Sequence, residues 1–549
     1  MTAITVFIAK QIHTMSESRP HATAVAVRGG TILEAGTLDS LQPWLNGAEY
    51  TVDEQFADKI LMPGLIDPHL HSFIGAVLMP ATFITAFEWK LPGQYSEATR
   101  GKDSYLETLT EAVEKDDDAK PIFVTWGYHQ AWHGDVTRAD LNAISSSKPI
   151  VVWHRSFHEI ILNDAAIETL AIDGDVMKRH PQINVDTGRF SEMGAMVAME
   201  GLKPILFSPD WFGVGLEMLH KVIHAGGQTT VGELAWGMFD YEMEWAAVAH
   251  SMDQNQPPYR MMMVPRGLPE PELTGAPEDA FARVDAMTDR GTDRMFFNNR
   301  VKFFTDGAFF SELMQMGGVG FVDGHEGEWL TAPDQFEAIV RPYWNAGYAI
   351  HVHCTGDLGL ELALDVLDKM QFERPRFDHR FTIEHFGVST EEQVRRIKAL
   401  GALVSANVYY LHELGEAYWT KSIGHERASQ MVRLGSLKRA GVPFTVHSDF
   451  TMAPALPMNS AWVAVNRTGE SGKVLGENER ISVHDAMRAI TIEAAYILGK
   501  EDMVGSIRSG KKADFTVMDE DPYEVDPMRL KDIRIHATVF EGTVHEIEE

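Results

Sequence analysis

Two histidines placed two residues apart are the first candidates for chemistry in this 549-residue chain. His69 and His71 close an apolar run over residues 61–71, which Pro63 and Gly64 interrupt. Residues two apart in a β-strand point to the same face, so both imidazoles would lie side by side at the strand's end. Neutral imidazole is the commonest side-chain ligand of zinc-type metals. Since the chain has 23 histidines, a chance pair is the alternative.

Four later segments repeat this pattern of an apolar run that ends in polar residues. The runs are 301–307, 348–357, 380–385 and 442–449. The candidate ligands that they carry are Lys302, His351, His353, His385 and Asp449. In a (β/α)8 barrel the carboxyl ends of the strands converge on one mouth, so ligands far apart in sequence meet there. The repetition therefore predicts such a barrel with a metal site at its mouth.

The charge balance of the chain is strongly acidic. Its 48 Lys and Arg residues against 79 Asp and Glu residues give a formal net charge of −31. Such a surface repels nucleic acid and anionic membranes, so we expect neither as a partner. The charge says nothing direct about the substrate, which we expect to be a small molecule. A homo-oligomer is left open.

Cysteine content and hydropathy suggest a compartment. A single cysteine, Cys354, excludes an intrachain disulfide and fits a reducing environment. The first residues lack the pattern of a signal peptide, and no segment has the roughly 20 apolar residues of a membrane span. We therefore expect a cytoplasmic protein.

The chain divides into three zones. Residues 1–58 read as short strands, and the Gly29-Gly30 step between two apolar runs predicts a hairpin. Residues 501–549 have the same strand-like character. Residues 59–500 alternate apolar strands with amphipathic helices such as 390–400, which predicts an α/β fold with a parallel sheet.

The middle zone is longer than the roughly 250 residues typical of a barrel. The excess falls in polar or irregular segments near residues 87–118 and 172–209. Insertions beside a barrel mouth are the usual place for substrate contacts and lids.

Taken in order, these motifs resemble those of the amidohydrolase superfamily, and within it the YtcJ-like branch of metal-dependent hydrolases (amidohydrolase family 3 type). The matching motifs are residues 63–71, 301–302, 353–357, 383–385, 447–449 and 505–515. The resemblance extends from about residue 5 to residue 540. It implies a metal-dependent (β/α)8 barrel and a small β-sandwich in which both ends of the chain join.

The resemblance also implies a ligand set, which is His69, His71, Lys302, His353, His385 and Asp449. These residues would hold one or two divalent ions, and zinc is the expected metal. His69, His71 and Asp449 could hold one ion, and His353 and His385 the other. Metal coordination lowers the pKa of bound water to about 7 and so supplies a nucleophile. Asp449 would also carry a proton from that water to the leaving nitrogen, as general base and then acid.

Lys302 is the unusual member of this set. An ammonium group repels metal ions, but a desolvated lysine near cations has a lowered pKa and becomes nucleophilic. Resemblance to binuclear amidohydrolases implies that CO₂ carboxylates Lys302 and that the carbamate bridges two ions. The alternative is an unmodified lysine that binds a substrate carboxylate or a neighbouring acid. His351 shares a strand face with His353, but the family pattern selects His353 as the ligand.

A second group of candidates precedes residue 160. Residues 154–158 resemble a family segment in which glycine stands where this chain has Phe157. His158 is expected to stabilise the carbonyl oxygen or hold the substrate, and the alternative is a structural histidine. Substrate-binding candidates are Trp126, His129 and His154, for which ordinary packing is the alternative.

The sequence thus predicts a metal-dependent hydrolase of a C–N bond other than a peptide bond, in an amide, a formamide or a cyclic amide. One alternative is a deaminase of an amino-heterocycle. An alternative of another class is a non-catalytic relative that kept the fold for assembly, although such a protein would be expected to lose ligands and none of the six is lost here. The sequence does not identify the substrate, because the fold and the metal site fix only a reaction class.

Overall fold

A computed structural model describes residues 3–116, 120–268 and 275–547. The chain forms two compact units. The main unit consists of Met1–His71 and Ile223–Glu549, and the inserted unit is Ser72–Val222. Among the described residues, no helix combines the length and the apolar character that a membrane crossing requires.

The strands, in chain order, are β1 Ile4–His13, β2 His21–Arg28, β3 Thr31–Gly36, β4 Tyr50–Pro63, β5 Leu65–Leu70, β6 Thr82–Phe83, β7 Trp89–Leu91, β8 Gln94–Ser96, β9 Phe123–Tyr128, β10 Ile150–His154, β11 Glu159–Leu162, β12 Ile183–Asn184, β13 Arg189–Ser191, β14 Gln228–Trp236, β15 Arg260–Pro265, β16 Met295–Phe297, β17 Arg300–Phe304, β18 Ala349–Cys354, β19 Thr382–His385, β20 Leu403–Asn407, β21 Phe444–His447, β22 Phe515–Met518, β23 Ile535–Phe540 and β24 Thr543–Glu546.

The α-helices are α1 Gln42–Leu45, α2 Ser72–Leu78, α3 Lys102–Lys115, α4 Gln130–His133, α5 Arg138–Ile144, α6 Asp164–Thr169, α7 Gly174–Arg179, α8 Met193–Leu206, α9 Val214–Ala225, α10 Tyr241–Asn255, α11 Pro277–Met287, α12 Pro333–Asn345, α13 Asp357–Glu373, α14 Glu391–Leu400, α15 Gly415–Lys421, α16 His425–Ser429, α17 Leu434–Ala440, α18 Pro457–Asn466, α19 Val483–Ala489 and α20 Ile492–Leu498. Short π-helical turns cover Pro209–Gly213 and Tyr410–Leu414, and 3₁₀ turns cover Phe309–Ser311, Glu477–Glu479 and Pro527–Asp532.

Parallel strands dominate the main unit. Strands β17 to β21 form one sheet in chain order, and β5, β14, β15 and β16 form another. Parallel bridges connect the two sheets, one between Leu70 and Phe450 and one between Arg266 and Lys302. Every residue of β14, β15 and β18 is buried, as expected for parallel strands that are covered on both faces. The α/β class that the sequence predicts is therefore confirmed.

Helix α14 shows how local sequence sets the elements between these strands. Thr390 and Gln393 form a reciprocal capping box at its start, which satisfies backbone N–H groups that the first turn leaves without a partner. Val394 and Ile397 form its buried face. The helix ends at Gly401, whose φ of 72° is a conformation that glycine adopts without strain. The predicted helix over residues 390–400 is confirmed within one residue.

One sheet joins the two ends of the chain. Its strand order is β24-β23-β22-β4-β1-β2-β3, so strands from residues 4–63 and 515–546 lie in the same sheet. The predicted hairpin between β2 and β3 is present: Arg28 pairs with Thr31, and Gly29 and Gly30 have φ values of 57° and 75°. A two-residue hairpin turn of this kind needs a positive φ at both central residues, and glycine adopts it without strain.

The inserted unit has a six-stranded sheet with the order β12-β13-β11-β10-β9-β6. It is larger than the two insertions that the sequence suggests near residues 87–118 and 172–209; residues 117 and 118 lie outside the described part. Strands β9 and β10 are buried along their whole length. Because their continuous apolar runs look like those of the main unit, the sequence pattern does not separate the two sheets.

Candidate metal centre

Strand β5 brings two imidazoles to the carboxylate of Asp449. The Nε2 atoms of His69 and His71 lie 3.4 and 3.1 Å from Asp449 Oδ1. Their rings are 5.3 Å apart. The predicted pairing of the two side chains at one strand end is therefore present, and both face the same carboxylate.

The ends of β19 and β21 supply two further groups by a sharp turn of the backbone. His385 and Asp449 have φ values of 71° and 54°. Such left-handed backbone in a non-glycine residue costs about 1–3 kcal/mol and clusters at functional sites. The turn places His385 Nδ1 3.6 Å from Asp449 Oδ2. Asp449 thus contacts three imidazoles from two strands.

Two groups of donor atoms lie close enough to hold a metal ion. They are His69, His71 and Asp449, and His69, His385 and His447, with the donor atoms of each group within 4.8 Å of one another. In the described part of the chain, His69 Nε2, His385 Nε2 and His447 Nε2 are buried and have no hydrogen-bond partner. Buried polar atoms without partners are rare in proteins and call for an explanation such as an ion. The donor set therefore fits a divalent metal.

The protonation states also suit a cation. Burial, together with the Lys302 charge, lowers the pKa of His69 well below its usual value. Burial likewise lowers the pKa of His447 to about 4. Burial alone would raise the pKa of Asp449, but the hydrogen bond with His71 and the nearby His447 lower it. His69 and His447 therefore favour the neutral form beside the Asp449 carboxylate. Burial alone would lower the pKa of His71, but its hydrogen bond with Asp449 raises it.

Lys302 and His353 lie beside these groups. His353 has its ring 4.4 Å from that of His385, but it belongs to neither donor group found among the described residues. Lys302 is 1% exposed, and its Nζ has no hydrogen-bond partner in the described chain. Burial lowers the pKa of this amine. In the paired strands, Lys302 stands opposite His351.

Two residues near the centre, Glu384 and His447, are absent from the predicted ligand set. Glu384 accepts hydrogen bonds from Nδ1 of His69 at 2.7 Å and of His351 at 2.6 Å. Burial alone would raise the pKa of Glu384, but the bond from His351 and the Lys302 charge lower it to about 2. His447, the second of these residues, belongs to the donor group of His69 and His385. An acidic residue inside an apolar strand was the available signal for Glu384, and the position of His447 two residues before Asp449 was the signal for His447.

The other predicted site residues lie in the inserted unit. His154 bonds Ser156 Oγ through Nδ1 at 2.7 Å and Gln130 Oε1 through Nε2 at 2.9 Å. The rings of His129 and His154 are 4.7 Å apart. His158 Nδ1 lies 2.9 Å from Glu192 Oε2.

Trp126 and Phe157 form part of an aromatic cluster of the inserted unit. Trp126 is fully buried, and its ring centre is 5.9 Å from that of Phe157 and 5.4 Å from that of Trp89. Phe157, which stands where the family pattern has glycine, has a φ of 69°. The chain therefore keeps a backbone conformation that favours glycine while it carries a bulky side chain.

The Amidohydrolase family profile matches residues 219–545, which is more than half of the chain. YtcJ of Bacillus subtilis (strain 168) is 23% identical over 97% of this chain and 97% of its own length. N-substituted formamide deformylase of Arthrobacter pascens is 21% identical over 98% of this chain and 97% of its own.

A solved structure of a metal-dependent hydrolase has a similar fold. An uncharacterised metal-dependent hydrolase from Pyrococcus horikoshii OT3 superposes with a TM-score of 0.74 at 19% identity, over 96% of this chain and 99% of that chain. At this identity the likeness concerns the fold alone. This chain belongs to the amidohydrolase family, in its YtcJ-like branch, because the family profile matches more than half of it and because it resembles YtcJ and the deformylase over nearly its whole length.

Proposed function

We propose that this protein is a metal-dependent hydrolase that cleaves a C–N bond of an amide, a formamide or a cyclic amide. The observation that carries the proposal is the buried group of imidazoles around Asp449 whose donor nitrogens have no other partner in the described chain. The likeness to N-substituted formamide deformylase over nearly the whole chain supports the formamide class.

The proposed ligands are His69, His71, Lys302, His353, His385 and Asp449, and the proposed metal is zinc. Nitrogen ligands with a carboxylate suit zinc better than they suit magnesium or calcium. The bound ion would act as a Lewis acid and lower the pKa of water to about 7.

Asp449 is the proposed proton carrier. Its pKa is lowered by His71 and His447, so the carboxylate is ionised and ready to accept a proton. Oδ1 lies 3.1 Å from His71 Nε2, while Oδ2 lies 3.6 Å from His385 Nδ1. Oδ2 has the weaker contact and is therefore the oxygen that would take a proton and return it to the leaving nitrogen.

Carboxylation of Lys302 remains part of the proposal. CO₂ reacts with the neutral amine, and burial lowers the pKa of Lys302 toward that form. The resulting carbamate would place an anion where the unmodified side chain brings a positive charge among histidines. An unmodified lysine that binds an acid is the alternative.

The roles of the predicted residues in the inserted unit rest on the resemblance. His158 is proposed to stabilise a carbonyl oxygen, and the bond between its Nδ1 and Glu192 would fix its ring. Trp126, His129 and His154 are proposed substrate-binding residues. Trp126 is buried and both ring nitrogens of His154 are hydrogen-bonded, which favours a role for these two residues in holding the wall of a binding site over direct contact with the substrate.

The finer fold assignment is also a proposal. Residues 59–500 would form a (β/α)8 barrel, and residues 1–58 and 501–549 a β-sandwich. The bridges from β5 to the end of β21 and from β15 to β17 support closure of the parallel strands. Residues 1, 2, 548 and 549 of the terminal segments lie outside the described part. We also propose that the protein is located in the cytoplasm.

Metal analysis coupled to a substrate screen tests the proposal. Purified protein would be analysed for bound metal, and N-acyl, N-formyl and cyclic-amide compounds would be screened for released amine or ammonia. Activity should disappear on chelation and return with Zn²⁺. Protein that stays folded but binds far less than one metal per chain after reconstitution would contradict the proposal. Ammonia released only from amino-heterocycles would indicate a deaminase instead.

A further inference from the structure

We propose that His447 is a metal ligand, forming a three-imidazole centre with His69 and His385. The ligand set that the family resemblance implies does not include this residue. The inference rests on the proposed function, because it assigns one more ligand to the same centre.

Proximity is the first argument. The donor atoms of His69, His385 and His447 lie within 4.8 Å of one another, and all three side chains are buried. The ring of His447 is 4.4 Å from that of His69 and 5.3 Å from that of His385. Three nitrogens bound to tetrahedral zinc at about 2.0–2.1 Å would lie roughly 3.3 Å apart, so small side-chain rotations would complete the site.

Orientation is the second argument. His447 Nδ1 lies 2.7 Å from Ser405 Oγ and 3.7 Å from Glu384 Oε2. A nearby carboxylate favours the proton on Nδ1, which leaves the lone pair on Nε2. That Nε2 is buried and has no hydrogen-bond partner in the described residues. In metal-binding histidines, a hydrogen bond at the ring nitrogen that does not bind the metal commonly fixes the orientation of the ring.

The geometry also bears on the number of ions. His69 belongs to both donor groups, yet its Nδ1 is held by Glu384 at 2.7 Å. Only Nε2 remains, and one imidazole nitrogen binds one metal. The two groups therefore describe a single ion position that draws on His69, His71, His385, His447 and Asp449. A second ion would need the ligands Lys302 and His353.

A cysteine replacement tests the position of His447 directly. Co²⁺ bound to a thiolate gives a charge-transfer absorption in the near ultraviolet, whereas imidazole and carboxylate ligands do not. We expect that absorption in Co²⁺-loaded His447→Cys protein. The wild type and Val446→Cys should lack it, because neighbouring residues of a strand face opposite sides. All three proteins contain Cys354, so its contribution cancels.

Affinity supplies the second measurement. His447→Gln should bind Zn²⁺ more than about 100-fold more weakly, since losing even an outer partner of a ligand typically costs 10–100-fold. His224→Gln is the matched control, because His224 bonds Thr538 of the terminal sheet. Should both His447 variants fail to fold, Ser405→Ala removes only the orienting contact, and a loss of about 10–100-fold is expected.

The outcomes separate the inference from the proposed function. Co²⁺ binding by His447→Cys without the thiolate absorption, or wild-type affinity in His447→Gln or Ser405→Ala, overturns the role of His447 alone. A folded wild type that binds neither Co²⁺ nor Zn²⁺ overturns the proposed function as well.

Discussion

Glu384 holds the ring of His69 in a fixed orientation through a buried hydrogen bond of 2.7 Å between Oε2 and Nδ1. The carboxylate is ionised, so it accepts and the imidazole donates. This fixes the proton of His69 on Nδ1 and leaves Nε2 to face Asp449. The other oxygen of Glu384 accepts from His351 in the same way. One side chain of β19 therefore orients imidazoles from β5 and β18.

Glu384→Gln should weaken metal binding by about 10–100-fold, the usual effect of losing an outer partner of a ligand. The amide offers only one acceptor oxygen, so one of the two imidazoles loses its acceptor. Zn²⁺ affinity measured by titration checks the prediction. Glu479→Gln is a matched control, since Glu479 is also buried but bonds Ser436. Equal metal affinity in the two variants would contradict the orienting role.

Asp449→Asn should lower kcat by about 10²–10⁴-fold, because the amide keeps the size of the side chain but cannot accept and return the proton. Metal content should fall less, because the histidines remain. Steady-state kinetics on any substrate from the screen, together with metal analysis, measures both quantities. Full activity in this variant would exclude Asp449 as the proton carrier.

His351→Ala serves as the positional control for Asp449→Asn. It should keep its metal, because His353 is the predicted ligand on that strand. Its stability should fall, since Glu384 loses the partner at 2.6 Å, and a buried polar group left unpaired costs about 1–3 kcal/mol, more if charged. A metal-free His351→Ala beside a fully active Asp449→Asn would mean that the site centres on His351.

Lys302→Ala should lose the second metal and nearly all activity if the lysine carries the bridging carbamate. Small carboxylic acids such as propionate should then restore part of both, because the carboxylate can take the place of the bridge. Metal analysis and activity with and without propionate measure the effect. Normal turnover with two bound metals in Lys302→Ala would exclude the bridge.

Strand periodicity in the sequence predicts which ligands at the strand ends lie close together. His69, His71, His385 and Asp449 do converge, because each ends an apolar run whose strands lie in parallel sheets. Glu384 and His447 were missed. Their importance depends on what they contact across the sheet, and spacing along one strand does not show such contacts.

The inserted unit shows a second limit of the sequence. Its buried strands β9 and β10 read like those of the main sheets, so their membership in another sheet depends on long-range pairing. The substitution of glycine by Phe157 was visible in the sequence, but its left-handed backbone was not.

This backbone conformation predicts an inverted order of stability at position 157. Phe157→Gly and Phe157→Ala both remove the ring that packs near Trp126 and Trp153. Only glycine adopts a φ of 69° without strain, and the left-handed conformation costs other residues about 1–2 kcal/mol. The free energy of unfolding of the glycine variant should therefore exceed that of the alanine variant by about 1 kcal/mol. Urea unfolding of both variants measures this difference from their midpoints and m values. At Ile160, inside β11, alanine should be more stable than glycine by about 0.5–1 kcal/mol, the usual order. If alanine is also the more stable replacement at position 157, the backbone there is not left-handed.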